Sequence, residues 1–208
     1  MTTELQKAFP PHPKIQLHPL TAENVSGFRM LNNTVLQSKY SDRWYKDALA
    51  LAPGLAQIAT FGDIEEDKVG KTQASQNVVG AISCKYVLEP AVALEEGNVM
   101  RRKAYIMSLA VLAPFRMYGI ATRLVEAVIA SIMAANRVLA ENEQGTHDEL
   151  DGDSRIVEEV YVHAWTGSQD AIEWYLNRGF KQTNVVQGYY RTMRPKPGDA
   201  VILSLKLV

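Results

Sequence analysis

The chain has 208 residues, 47% of them hydrophobic, which is enough to bury a full core without disulfides or metals. Lysine and arginine number 22 against 23 aspartates and glutamates, so a net charge of −1 leaves no global field to draw the protein to nucleic acid or an anionic membrane. No run approaches the ~18 consecutive apolar residues of a membrane span, and MTTELQKAFPPHPK has no apolar signal core, so a cytoplasmic protein is expected.

Residues 1–14 carry three prolines and no periodicity, which predicts an irregular arm before a first strand over residues 15–20. Thr21 reads as an N-cap, and from Ala22 the apolar Val25, Phe28, Leu31 and Leu36 recur on one helical face. Residues 42–50 suit a second short helix. Residues 55–61 and 78–88 read as strands, the second containing Cys84, the only cysteine, expected as a buried residue in a reducing compartment. Between them, residues 62–77 are polar and too long for a tight hairpin, so a flexible insertion is expected there.

A strand over residues 104–112 leads into a helix over residues 119–135, with Ile120, Leu124, Val128 and Ile132 on the side that packs on a sheet. Residues 141–153 hold six carboxylates and no lysine or arginine, the mark of a solvated loop, inside a second expected insertion at residues 139–157. A strand over residues 160–165, a helix over residues 168–177 stopped by Gly179, and a closing β pair at residues 185–192 and 200–208 complete the chain. The order β-αα-ββ-β-α-β-α-β-β predicts an α/β class, a mixed central sheet with helices on both faces and one domain over residues 15–208.

Chemistry shows first in YIMSLAVLAPFRMYGIATRLV, residues 105–125, where a strand runs into a helix. The first turn of a helix exposes unpaired N–H groups with partial positive charge, an anion site. Arg116 adds a full charge, Gly119 admits a ligand close to the backbone, and small Ala121 keeps the turn open, so the segment suits a pyrophosphate. It lacks the glycine patterns of P-loop and dinucleotide folds, which disfavours ATP and NAD and leaves coenzyme A as the implied ligand.

Arg116-x-x-Gly119-x-Ala121 after that strand matches the [Q/R]-x-x-G-x-[G/A] signature of the GNAT acetyltransferases. Together with YSDRWYKDAL, VYVHAWTGSQDAIEWYLNRGF and GYYRTMRP, in matching order and spacing, it makes the chain resemble the N-terminal acetyltransferases, and among them the family of catalytic subunits of N-terminal acetyltransferase E (NatE). The resemblance covers residues 15–208 apart from the two long loops. It implies a GNAT-like fold and transfer of an acetyl group from acetyl-CoA to the α-amine of a peptide or nascent protein N-terminus, with no metal. It further implies a cofactor site at Leu109, Ala110, Val111, Arg116, Met117, Tyr118, Gly119, Ile120, Ala121 and Thr122. Ser168 joins it where the family has asparagine, and Tyr175 is the implied acid for the leaving thiolate.

An α-amine has a reference pKa of about 7.7–8.0 and must lose a proton before it attacks, so a base is required. By strand alternation Tyr105, Met107 and Leu109 share a face, as do Tyr161, His163 and Trp165, so Tyr105 and His163 can meet at one opening. The resemblance gives His163 the base function, directly or through a water, with Tyr105 in the relay. It also implies a bulge near Leu109 whose backbone N–H polarises the thioester carbonyl.

Leu36, Gln37, Ser38 and Tyr40 in the first interhelical loop, Met107, and the tandem Tyr189 and Tyr190 are the implied substrate clasp. Adjacent tyrosines in a strand would divide between its two faces. The family has Phe-Pro-Val where Leu36-Gln37-Ser38 stand, a wall that favours an initiator Met followed by an apolar residue. Two other readings stand beside this one. The chain can be a weakly active or inactive subunit docking on the scaffold and catalytic subunits of N-terminal acetyltransferase A at the ribosome, or an acetyltransferase for lysines or small amines.

Overall fold

A computed structural model describes residues 12–62, 77–90, 100–142 and 155–207. The strands are β1 (Ile15–Pro19), β2 (Ala56–Phe61), β3 (Val78–Pro90), β4 (Met100–Val111), β5 (Val157–Trp165), β6 (Lys181–Val186) and β7 (Ala200–Lys206). The helices are α1 (Val25–Val35), α2 (Asp42–Leu49), α3 (Ile120–Asn142) and α4 (Gln169–Leu176), with a 3-10 segment at Ala113–Tyr118. The strands form a seven-stranded mixed sheet in the order β1-β2-β3-β4-β5-β7-β6, in which β4 and β5 are parallel. This is the α/β class and element order expected from the sequence.

The chain divides into two compact units, and β3, β4 and α3 each contribute residues to both. In the unit made of residues 7–84 and 107–131 the core gathers Phe28, Leu31, Tyr45, Ala48, Ile58, Val78, Ala81 and Ala110. The apolar spacing of α1 and α2 puts Phe28 against Trp44 and Tyr45, with ring centroids 5.7 Å apart in each pair. Gly80 on β3 has no side chain because a Cβ there would lie 2.5 Å from Cγ2 of Ile120. Its absence seats the start of α3 on the strand, with Ile120 and Leu124 fully buried. Cys84 is buried as expected, and burial pushes its thiol far up.

In the unit made of residues 85–106 and 132–208, β5 pairs in parallel with β4 from Arg102↔Val157 to Ile106↔Val162 and antiparallel with β7 from Glu159↔Lys206 to Trp165↔Ala200. Asn136 on α3 brackets the start of β5, donating to the carbonyl of Val157 at 2.9 Å and accepting from its N–H at 2.8 Å.

Several boundaries differ from expectation for local reasons. Thr21 opens a turn and does not cap α1: its carbonyl accepts from the N–H groups of Asn24 and Val25, and the helix begins at Val25. β4 starts at Met100 because Arg102 can be buried, stacked 4.0 Å over the Tyr86 ring and donating to the carbonyl of Arg155. α3 continues to Asn142, so residues 139–142 are helix. The last hairpin is also displaced: β6 is the polar, exposed edge Lys181–Val186, and residues 187–199 are turns. Gly188 at φ 62° and the prolines at 195 and 197, which lack an N–H, keep that segment out of the ladder. Residues 1–11, 63–76 and 143–154 lie outside the described residues, and with them most of the expected arm and of both expected insertions.

Candidate active site

β4 and β5 alternate as their sequences suggest, and the parallel register sets Tyr105 opposite Tyr161. Their ring centroids are 5.0 Å apart, and Tyr105 meets His163 edge-on at 5.4 Å. The tandem tyrosines close over the histidine from the turn after β6. Tyr189 stacks flat on the imidazole, 4.1 Å away with an interplanar angle of 5°. The hydroxyls of Tyr105 and Tyr189 are hydrogen-bonded at 2.9 Å. Tyr190 donates its hydroxyl to the carbonyl of His163 at 2.8 Å and its N–H to the carbonyl of Gly198 at 2.7 Å. A Cβ at Gly198 would lie 2.1 Å from the Tyr190 carbonyl oxygen, so this turn requires glycine. The two tyrosines thus act on one residue from a turn and do not divide between the faces of a strand.

Among the described residues, Nδ1 of His163 is buried with no hydrogen-bond partner. Burial lowers the proton affinity of the ring, and the carboxylate of Glu89 works in the opposite direction; the net effect keeps His163 below its ordinary value of 6.5. The imidazole is therefore neutral at pH 7, the form that accepts a proton.

Tyr161 donates to Oε1 of Glu89 at 2.8 Å, and Nζ of Lys103 lies 3.1 Å from Oε2 of the same carboxylate and 3.6 Å from Glu159. Burial works against the charge on Glu89, but the Tyr161 hydroxyl and Lys103 outweigh it and hold the carboxyl below its usual range. Burial and then Glu89 push the Tyr161 phenol well up, so it stays protonated at neutral pH and is no candidate base.

The turn before α3 is built from backbone. Gly119 is left-handed, φ 69°, and the first helical bond runs from the N–H of Arg123 to its carbonyl at 3.1 Å. The N–H groups of Ile120 and Ala121 lead the helix ahead of that bond, at its positive end. The side chains around them turn to other partners. Arg116 donates its Nε to the carbonyl of Val111 at 3.4 Å. Tyr118 packs on His12 at 5.0 Å and on Phe61 and Phe115, Ile120 is core, and Met117 is 75% exposed. In the β4–β5 ladder the register shift falls between Arg102 and Lys103, not near Leu109; the paired register ends at Ile106–Val162, with β4 running on through Leu109, Ala110 and Val111. Ser168 is the N-cap residue of α4, and its carbonyl accepts from the N–H groups of Ala171 and Ile172. Tyr175, near the other end of that helix, is 6% exposed and meets Trp174 and Phe180 edge-on.

In the loop between α1 and α2, Leu36 packs on the Phe28–Tyr45 core, Gln37 is exposed and Ser38 half-buried. Tyr40 stacks on Trp44 at 4.0 Å and donates to the carbonyl of Met107 at 3.0 Å, so these two expected substrate residues are joined. Tyr105, His163, Ser168, Tyr175, Tyr189 and Tyr190 fall in one compact unit, and residues 36–40, 107 and 109–122 in the other.

Residues 32–147 match the Acetyltransferase (GNAT) family. The chain belongs to this family. It is 27% identical over 194 residues to N-alpha-acetyltransferase 50 of Danio rerio, covering 93% of this chain and 89% of the relative. It is 28% identical over 193 residues to the probable N-acetyltransferase san of Drosophila melanogaster, covering 93% and 81%. Among solved structures, Arabidopsis thaliana Naa50 in complex with the bisubstrate analogue CoA-Ac-MVNAL is similar with a TM-score of 0.62 and 28% identity, over 92% of this chain and 98% of that one. The NatC complex bound to Gag peptide and CoA contains a chain similar at a TM-score of 0.63 and 25% identity, over 94% and 99%.

For a GNAT acetyltransferase, the residues that sequence reasoning left unassigned are Glu89, Lys103 and Tyr161. Alternation had already put Tyr161 on the face of His163. Nothing in the local pattern marked Glu89, a strand-end residue before Pro90 whose partners are 14 and 72 positions away.

Proposed function

We propose that this acetyltransferase moves the acetyl group of acetyl-CoA to the α-amine of peptide and nascent-chain N-termini, with His163 as the base. The observation that carries the reading is the His163 imidazole set between the rings of Tyr105 and Tyr189, with its Nδ1 unpartnered among the described residues. The enzyme is an acyltransferase whose donor is acetyl-CoA, and the turn at Gly119, with its left-handed glycine at the N-terminal end of α3, suits the diphosphate of that donor. Bound acetyl-CoA supplies an activated acyl carbon.

The backbone of Arg116, Met117, Tyr118, Gly119, Ile120, Ala121 and Thr122 holds the diphosphate, and Leu109, Ala110 and Val111 offer β4 backbone to the rest of the donor. His163 takes the proton of the incoming ammonium, and Tyr105, steadied through its bond to Tyr189, orients that transfer. Tyr175 returns a proton to the leaving thiolate, and Ser168 touches the donor. Leu36, Gln37, Ser38, Tyr40, Met107, Tyr189 and Tyr190 receive the peptide. Its first residues are Met and an apolar one, a choice supported by likeness to a protein solved with an analogue whose peptide begins Met-Val. Docking on the N-terminal acetyltransferase A scaffold and catalytic subunits at the ribosome, in the cytoplasm, belongs to the same proposal; the likeness to a chain of the NatC complex supports its coarser part, work within a multi-subunit acetyltransferase.

The test is incubation with acetyl-CoA and free-amine peptides beginning Met-Leu, Met-Lys and Ser-Glu, the acetyl group being located by fragmentation. Acetylation of the α-amine of Met-Leu ahead of the other two is expected. Transfer to lysine side chains of peptides blocked at the α-amine, at the same rate, would overturn it.

A further inference from the structure

Glu89 divides its carboxylate between two partners, Oε1 accepting from the hydroxyl of Tyr161 and Oε2 from Lys103. Tyr161 is 9% exposed, and its ring packs on Tyr105 at 5.0 Å and lies 6.0 Å from that of His163. A buried phenol needs an acceptor, but a neutral one would satisfy it. A half-exposed lysine–glutamate pair contributes little stability. Neither need explains a carboxylate at this place.

The reaction does explain it. When a substrate ammonium gives its proton to the neutral imidazole, the N–H bond of the amine breaks, one forms on the ring, and a unit of positive charge moves into a half-buried site. The groups around His163 are the phenols of Tyr105 on β4, Tyr161 on β5, and Tyr189 and Tyr190 on the turn after β6. The charges nearby are Glu89 on β3, Lys103 on β4 and Glu159 on β5. Lys103 is held between the two carboxylates, which leaves the field at the ring negative.

We infer that Glu89 is a positioning residue for the base: through Tyr161 it fixes the aromatic wall on which Tyr105 and His163 are set, and its charge stabilises the imidazolium. This rests on the reading of His163 as the base. The burial of His163 opposes protonation and Glu89 offsets part of that opposition, in keeping with such a role.

Two variants separate the functions. Glu89→Gln keeps an oxygen that can accept from Tyr161 and removes the charge; Glu89→Ala removes both. The His163 ring is titrated by NMR in the full chain, its signal assigned with a His163→Gln variant, and kcat is followed against pH. Glu89→Gln is expected to move the midpoint down by a few tenths to about one unit, the acid limb of kcat following it, and to lower kcat at pH 8 about two- to fivefold because the imidazolium formed in the reaction loses that charge. Glu89→Ala is expected to add a loss of about tenfold in kcat, part of the 10²–10⁴ that a general base contributes. An unmoved His163 midpoint in both variants overturns the inference, whatever happens to the rate. A wild-type chain that transfers no acetyl group sinks the enzymatic reading instead, and the titration still decides whether Glu89 acts on His163.

Discussion

Around His163 the geometry is made by side chains: Tyr189 lies flat on the ring, Tyr105 touches its edge, Tyr161 braces Tyr105, and Glu89 holds Tyr161. At the turn before α3 it is made by backbone. A left-handed glycine and leading N–H groups do the positioning while Arg116, Tyr118 and Ile120 turn to a carbonyl, an aromatic cluster and the core. The difference suits the tasks proposed for the two regions. A base must be tuned, and tuning needs neighbours with charge and shape; a diphosphate is well held where several main-chain N–H groups lie close together.

That contrast predicts that the first region fails by losing side chains and the second by gaining them. The largest effect is expected for His163→Ala, a fall of about 10²–10⁴ in kcat with the fold retained. The pH profile sharpens the point. Because burial sets His163 below 6.5, its neutral form persists below that pH, so kcat should hold through pH 6.5 and fall only as the pH drops towards the lowered value. The same sign holds for stability: the unfolded ring takes a proton first, so this residue's contribution fades as pH drops through about 6.5. In the alanine variant the acid limb of residual activity should vanish, and a limb that survives unchanged assigns it to another group.

Next comes Gly80→Ala, whose Cβ would lie 2.5 Å from Ile120 and force α3 off β3. A destabilisation of about 1–3 kcal/mol is expected by thermal melting, as for other overpacked cores. Gly119→Ala, at φ 69°, should cost about 1–2 kcal/mol and raise the KM for acetyl-CoA with less effect on kcat. Gly119→Asn, which tolerates the left-handed region better, should recover part of the loss. If Arg116→Ala raised that KM more than Gly119→Ala, the turn would be a side-chain site after all, and the comparison would break.

How much of this was legible in the sequence depended on range. Tyr105 and His163 could be paired because two strands alternate regularly and their parallel register does the rest. Gly119 stood out because a glycine between an arginine and a helix is a local signal. The turn that carries Tyr189 and Tyr190 was not legible, since Lys181–Val186 is a polar edge strand with no apolar alternation to mark it, and the hairpin slid along the chain as a result. Glu89 was beyond reach for a different reason: its meaning lies in partners on two other strands.

The smallest effect concerns how Tyr189 serves the histidine. Tyr189→Phe keeps the ring that stacks on His163 and removes only the hydroxyl bonded to Tyr105, on a residue that is 39% exposed. A neutral hydrogen bond in such a place contributes about 0.5–1.5 kcal/mol, so kcat should fall about two- to tenfold. Tyr189→Leu loses the flat stacking as well and should fall further, with the His163 NMR signal broadened by a less constrained ring. If the two variants lose the same activity, the hydroxyl carries the whole contribution and the stack is only packing. If phenylalanine is fully active while leucine is not, the ring face alone holds the base. A double cycle with Tyr105→Phe then separates the two, because a phenylalanine at either position already breaks the shared hydrogen bond and the second substitution should cost little more.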